Sequence, residues 1–155
     1  MIKKDTVRTK MLNAIKYEES LGVDSISESS QKYYTEFESA YLLYKADRKK
    51  IDTLKPLLNK VRFVVFGGSW CSDTRRELPR LSKILDKCNF DVEEFLYFGV
   101  NKNKEVYFPT DASETFKFRF VPAILILRDN IEIGRIVENP LHGSLENDLL
   151  FYLRK

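Results

Sequence analysis

Residues 61–155 of this 155-residue chain predict an α/β sandwich, a mixed sheet with helices on both faces in the order β-α-β-α-β-β-α. Residues 1–60 predict an α-helical extension packed on that core. Three observations carry the prediction. Apolar residues recur at helical spacing as far as Pro56; the period changes at Val61, where six residues are nearly all β-branched or aromatic; and that run ends in Gly67-Gly68 shortly before an amphipathic helical pattern.

The first helix is expected over residues 4–20, with Val7, Met11, Ala14 and Ile15 on one side and Gly22 as its stop. Ser25-Ile26-Ser27-Glu28-Ser29-Ser30 reads as a polar linker rich in capping residues. A second helix follows over 29–48, where Tyr33, Phe37, Tyr41 and Tyr44 share a face and read as core between the extension and the sandwich. Ile51, Leu54, Leu57 and Leu58 keep the helical phase, but Pro56 lacks an amide donor, so 51–60 is a shorter helix or turn.

Val61 to Phe66 is the pattern of a strand buried on both faces. A helix over 72–87 places Leu78, Leu81, Ile84 and Leu85 on its buried side. Strands are expected over 92–100, 123–127 and 131–137, and a short helix over 112–118. Arg128-Asp129-Asn130 suits a hairpin, since Asp and Asn tolerate left-handed backbone angles. Ser144 is placed to cap a last helix running to about residue 154, with Leu145, Leu149, Leu150 and Leu153 as its stripe.

Composition narrows the function. The chain is 43% hydrophobic, enough for a substantial core, and its 26 basic and 23 acidic residues leave a formal net charge of +3, which calls for neither a nucleic-acid nor a membrane partner. Two cysteines are too few for a disulfide-stapled secreted scaffold, and Met1-Ile2-Lys3-Lys4-Asp5 opens no apolar signal segment, so a reducing, cytoplasmic setting is expected. The longest apolar runs fall far short of the ~20 residues of a membrane-spanning helix. One histidine and two distant cysteines give no zinc-ligand spacing, and Gly67-Gly68 is not followed by the Gly-Lys-Ser/Thr of a phosphate loop, so no metal or cofactor is expected. His142 reads as a loop or capping residue, and Arg48-Lys49-Lys50 as a solvated helix end.

The chemistry points to Phe66-Gly67-Gly68-Ser69-Trp70-Cys71-Ser72-Asp73-Thr74, where a central strand ends and a helix begins. Unpaired amides and the positive end of the helix dipole favour a thiolate at such a position. Thr74, three residues on, is expected to face the sulfur and donate to it; Arg75 and Arg76 add positive charge nearby and Asp73 opposes it.

Here the sequence resembles the thioredoxin superfamily. Trp70-Cys71 stands where that family's active site starts, Pro79 follows eight residues after the cysteine, and Phe120-Val121-Pro122-Ala123-Ile124-Leu125-Ile126, with Gly134-Arg135-Ile136-Val137 beyond a hairpin, resembles the family's cis-proline strand and the strand after it. The likeness spans Val61 to Arg154 and is strongest to bacterial thioredoxin-like proteins with a Trp-Cys-x-Asp site and a helical N-terminal extension. It implies a cis Val121–Pro122 bond beside Cys71. It also implies a substrate groove formed by Trp70, Ser72, Asp73, Val121 and Pro122, in which the Val121 backbone pairs with a bound peptide or thiol.

The departures shape the expected activity. Thr74 stands where a dithiol enzyme has its second, resolving cysteine, Asp73 stands where proline is usual, and Val65 occupies the place of the family's buried acid. Cys88, at the far end of a helix rising about 1.5 Å per residue, lies roughly 25 Å away and is expected to be a half-buried small hydrophobe. The leading expectation is a monothiol exchange protein: Cys71, assisted by Thr74, attacks a disulfide-containing protein or the mixed disulfide of a low-molecular-weight thiol, and a second thiol from solution completes the cycle. The alternative is a redox-inactive module that binds a peptide or protein beside Pro122. A third, weaker reading is iron–sulfur or glutathione binding like that of monothiol glutaredoxins; Trp70 and Asp73 look like thioredoxin rather than glutaredoxin.

Overall fold

The computed structural model describes residues 5–21, 24–107 and 112–155. Three helices come first: α1 (Val7–Ser20), α2 (Asp24–Leu43) and α3 (Arg48–Leu54), which a 3-10 turn over Lys55–Leu58 follows. Local chemistry fixes two of their starts. Thr6 Oγ1 accepts the Thr9 amide at 3.1 Å, and Asp47 Oδ1 accepts those of Lys49 and Lys50.

The second helix differs from expectation at both ends. The serine-rich run taken as a linker forms the first turns of α2, and the helix stops at Leu43 rather than near 48. Polar residues are at home in a first helical turn. Beyond Leu43 the chain is drawn to the last helix of the fold, where Glu146 accepts the Tyr44 hydroxyl at 2.6 Å and the Asp47 amide at 3.0 Å. Gly22, the expected stop of the first helix, lies outside the described residues, as does residue 4.

The sheet has the order β2-β1-β3-β4, built from β1 (Val61–Gly67), β2 (Phe95–Gly99), β3 (Ala123–Arg128) and β4 (Ile131–Val137). β1 runs parallel to β2 and antiparallel to β3, and β3 is antiparallel to β4. The sheet is therefore mixed, as expected. Between β1 and β2 the chain crosses over through α4 (Ser72–Lys87), and α6 (Leu145–Leu153) closes the fold behind the cap of Ser144, whose Oγ accepts the Asn147 amide. Asp129 and Asn130 take φ of 51° and 65°, the left-handed values that the hairpin requires.

β2 is shorter than expected. Asp91 caps a 3-10 turn over Val92–Glu94 by accepting the Glu93 amide, so pairing begins only at Phe95; Val100 then bridges to Val106 outside the strand. The helix expected over 112–118 contracts to α5 (Ala112–Thr115). Phe116 and Phe118 instead pack against the sheet, with Phe118 stacked on Phe66 at 4.2 Å.

Alternation along β1 divides the core. Phe63 and Val65 face one side, where α1, α2, α3, α4 and α6 contribute Met11, Ile15, Tyr33, Phe37, Ile51, Leu54, Leu78, Leu81, Leu145 and Leu149 to one continuous cluster. Val64 and Phe66 face the other, a thinner layer of Leu125, Val106, Phe116, Phe118 and Trp70. Helical extension and sheet thus share one core, and the Tyr33–Phe37 face lies within it, completely buried. Gly134 makes room for α6: a Cβ there would lie 2.1 Å from the Tyr152 ring. No helix among the described residues is long and apolar enough to cross a membrane.

Candidate functional site

β1 delivers the chain to the C-terminal edge of the sheet at Gly67, and α4 takes it away from Ser72. Between them Gly68 to Cys71 form a tight loop, closed by the Cys71 amide donating to the Gly68 carbonyl at 2.9 Å. Cys71 is the N-cap residue of α4, with φ −98° and ψ 123°, yet its side chain makes no capping bond. The sulfur is thus not used to finish the helix. It is a free thiol, partly exposed.

The loop is pinned from several directions. Trp70 Nε1 donates to the Val100 carbonyl at 2.9 Å, and Arg75 Nη1 donates to the Ser69 carbonyl at 2.9 Å. Across from it, the Val121–Pro122 peptide is cis, and Cys71 Sγ lies 3.5 Å from the Val121 carbonyl oxygen. Two segments 50 residues apart in sequence therefore meet at the thiol, where the resemblance implies they meet. The fold is thioredoxin-like.

Comparison with known proteins bears on the fold alone. No family model matches the chain, and no curated protein matches it. A crystal structure of a protein of unknown function from Pseudomonas aeruginosa superposes over 90% of this chain and 88% of its own, with a TM-score of 0.52 at 17% identity. A thioredoxin mutant from Entamoeba histolytica covers 67% of this chain and 91% of its own (TM-score 0.40, 22% identity), and an HIV epitope-scaffold covers 90% and 81% (TM-score 0.49, 19% identity). The first likeness bears on the fold alone, and the other two superpose too loosely to add to it.

The remaining expected site residues fall into distinct surroundings. Ser72 is exposed on the first turn of α4, while Val121 and Pro122 are buried under the loop. Asp73 pairs with Arg76 at 2.8 Å, and Arg75 sits 3.3 Å from Glu36 of α2. The two arginines are thus occupied by carboxylates rather than directed at the sulfur. Thr74 also differs from expectation. Its hydroxyl is completely buried and accepts the Gly68 amide at 3.2 Å, while the sulfur's hydrogen-bond partner is the Val121 carbonyl. Thr74 holds the loop from within.

Cys88 ends α4 at its opposite terminus, 9% exposed, with Sγ 3.9 Å from the Ile51 carbonyl. Burial pushes its thiol up to about 11. His142 serves the start of α6: its Nδ1 lies 2.7 Å from Asp148 Oδ1, and its ring stacks on Phe151. Among the described residues no group of three or more His, Cys, Asp or Glu is arranged to hold a metal ion.

Sequence reasoning missed one group of residues. Glu18 of α1 is 2% exposed and reaches over the C-terminal ends of β1 and β2 toward the underside of the loop. Its Oε2 accepts the Ser30 hydroxyl at 3.3 Å, Ser30 Oγ lies 3.3 Å from Ser69 Oγ, and Ser69 also bonds the carboxyl group. Desolvation pushes Glu18 up to about 7, against the smaller opposing effect of the two serines. A signal existed: Glu18 continues the stripe Val7, Met11, Ile15, where an apolar residue is expected.

Proposed function

We propose that the protein exchanges thiols and disulfides through the single sulfur of Cys71, in a reducing compartment such as the cytoplasm. The observation that carries this reading is a free, partly exposed thiol at the start of α4 that makes no capping bond and faces the carbonyl before a cis proline. In the first step the Cys71 thiolate attacks one sulfur of a disulfide; a bond forms from Cys71 to that sulfur, and the other leaves as a thiolate. Cys88 cannot resolve the product, because the 16 residues of α4 separate it from Cys71. A low-molecular-weight thiol therefore attacks the substrate sulfur of the mixed disulfide and releases Cys71. Bonds broken equal bonds formed, and the chain returns to its starting state.

Incubation with oxidised glutathione at pH 7 tests this. The expected result is one adduct by intact mass, located at Cys71, absent from Cys71→Ser and removed by added reduced thiol. No adduct at Cys71 would overturn the reading. A second reading, a peptide-binding module, draws support from Phe120, which adjoins Val121 in sequence with 51% of its surface exposed, and from the half-buried Trp70, which packs in the same cluster as Val121. Under that reading Cys71→Ser retains a partner that Trp70→Ala loses; under the exchange reading Cys71→Ser loses it.

A further inference from the structure

A buried carboxyl group is costly, and the fold makes specific room for the one on Glu18. A Cβ on Gly99 would lie 2.1 Å from Glu18 Oε1. The cross-strand partner of Gly99 is Gly67, where a Cβ would lie 2.9 Å from both the Tyr97 hydroxyl and Thr74 Cγ2. Two facing glycines thus seat an acid and a phenol directly behind the loop that carries Cys71. Tyr33 of α2, Tyr97 of β2 and Tyr107 each bury a hydroxyl that has no hydrogen-bond partner among the described residues. Tyr97 is half-buried as a residue, but its oxygen is sealed from solvent. Tyr33 and Tyr97 lie within electrostatic range of both Glu18 and Cys71, so the acid and the thiol share an environment.

Among the described residues few charges face this cluster. Arg75 of α4 is a cation within range of Tyr33, and it is held by the Ser69 carbonyl and by Glu36. Glu36 itself adds negative charge from α2. Among the described residues Glu18 forms no ion pair, and none of them supplies a countercharge in contact with it when it ionises. A cavity of roughly 270 Å³, lined in part by Glu18, Tyr17, Tyr97 and Tyr107, gives a proton a short route from solvent.

We propose that Glu18 is a positioning residue for Cys71: tied to the loop through Ser69, it leaves the thiol free to react while protonated and restrains it once ionised. The physical reason is like-charge repulsion, since the thiol reacts as an anion and a second negative charge behind the loop opposes it. Glu18 changes charge near neutral pH in the folded chain, so the restraint sets in within an ordinary range. The helical extension acquires by this a role in the reactivity of the site that it covers from behind. The inference rests on the exchange reading for its purpose, but its test does not.

The rate of iodoacetamide addition to Cys71, read by peptide mass from pH 5.5 to 9, is compared between the unsubstituted protein and Glu18→Gln. The expected ratio is near one at pH 5.5 and rises as Glu18 ionises to about 3- to 10-fold faster in Glu18→Gln between pH 7 and 8, the size of effect for a like charge behind the loop in a partly shielded setting. It falls back toward one once the thiol is fully ionised in both proteins. A ratio that does not change with pH, or a slower Glu18→Gln, overturns the proposal. Should Glu18→Gln not fold, the unsubstituted protein is modified at Cys71 either with iodoacetate or with iodoacetamide, and the Glu18 carboxyl is titrated by carbon-13 NMR. Reciprocity requires a higher midpoint in the anionic adduct; equal midpoints overturn the proposal. The two readings fail separately. The predicted rate ratio without a glutathione adduct sinks the exchange function alone, whereas an adduct whose rate ratio is flat with pH sinks the role of Glu18 alone.

Discussion

At one end of α4 stands Cys71, partly exposed on a loop between strand and helix, its sulfur facing the Val121 carbonyl. At the other end, past 16 helical residues, stands Cys88, buried at the C-cap with its thiol pushed up to about 11. The surroundings differ in the same sense. Beside Cys88, Asp86 accepts the amides of Val7 and Arg8 at 2.8 and 3.2 Å and the Tyr41 hydroxyl at 2.8 Å, so it fastens both α1 and α2 to the helix. Beneath Cys71, the same two helices contribute Glu18, Ser30 and Tyr33, a cluster with unpaired hydroxyls and a carboxyl group away from any cation partner among the described residues. One end of α4 is fastened to both helices through Asp86, and the other gathers a buried acid and several phenols unpartnered among the described residues. Residue type alone therefore says little about a cysteine; its reactivity follows from what the tertiary structure places around it.

The largest effect expected on this contrast comes from the closed end. Asp86→Ala removes three charge-assisted hydrogen bonds that fasten the extension, and urea unfolding is expected to show a loss of about 4 kcal/mol. A loss below about 1 kcal/mol would show that the apolar contacts of α1 and α2 hold the extension without it.

At the open end, stability itself depends on pH. The folded value of Glu18, about 7, lies above its ordinary 4.5, so between the two the folded chain keeps a proton that the unfolded chain has released. Stability from this group is therefore full below about pH 4.5, falls by about 3 kcal/mol as pH rises to about 7, and is flat above that. The slope is expected to vanish in Glu18→Gln; a slope unchanged by that substitution would assign it elsewhere.

The smallest expected effect is the direct one. Under native conditions at pH 7, Cys88 is expected to alkylate about 100-fold more slowly than it does in denaturant, because its thiol titrates above the ordinary ~8.5 and is shielded. Cys71 is expected to change far less between the two conditions. Equal protection of both cysteines would erase the distinction between the two ends of the helix.

Where a boundary rests on a local change of period, sequence and structure agree closely. The helix expected over 72–87 is Ser72–Lys87, and the strand expected over 131–137 is Ile131–Val137. Boundaries set by contacts with distant segments moved, as at the end of α2, where Glu146 of the last helix holds Tyr44 and Asp47, and at Phe116 and Phe118, which the second face of the sheet claims. The candidate site divides in the same way. Cys71 at the head of α4 and the proline at 122 could be read from the order of residues. The bond made by Thr74 could not, because its partner, the Gly68 amide, is chosen by the curl of the loop.

The sequence by itself determined the mixed α/β architecture, the left-handed hairpin at Asp129-Asn130 and the position of the thiol at a strand-to-helix junction. Each of these is written in residues within a turn or two of one another, through side-chain period, capping oxygens and tolerated backbone angles. The tertiary structure alone decided that Cys88 is sealed, that Arg75 and Arg76 are occupied, and that a carboxyl group from α1 lies beneath the loop of Cys71. Burial of a charge depends on every segment that closes around it, and Glu18 is enclosed by Ser30, Ser69, Tyr97 and Gly99, which come together only when the extension docks on the sheet.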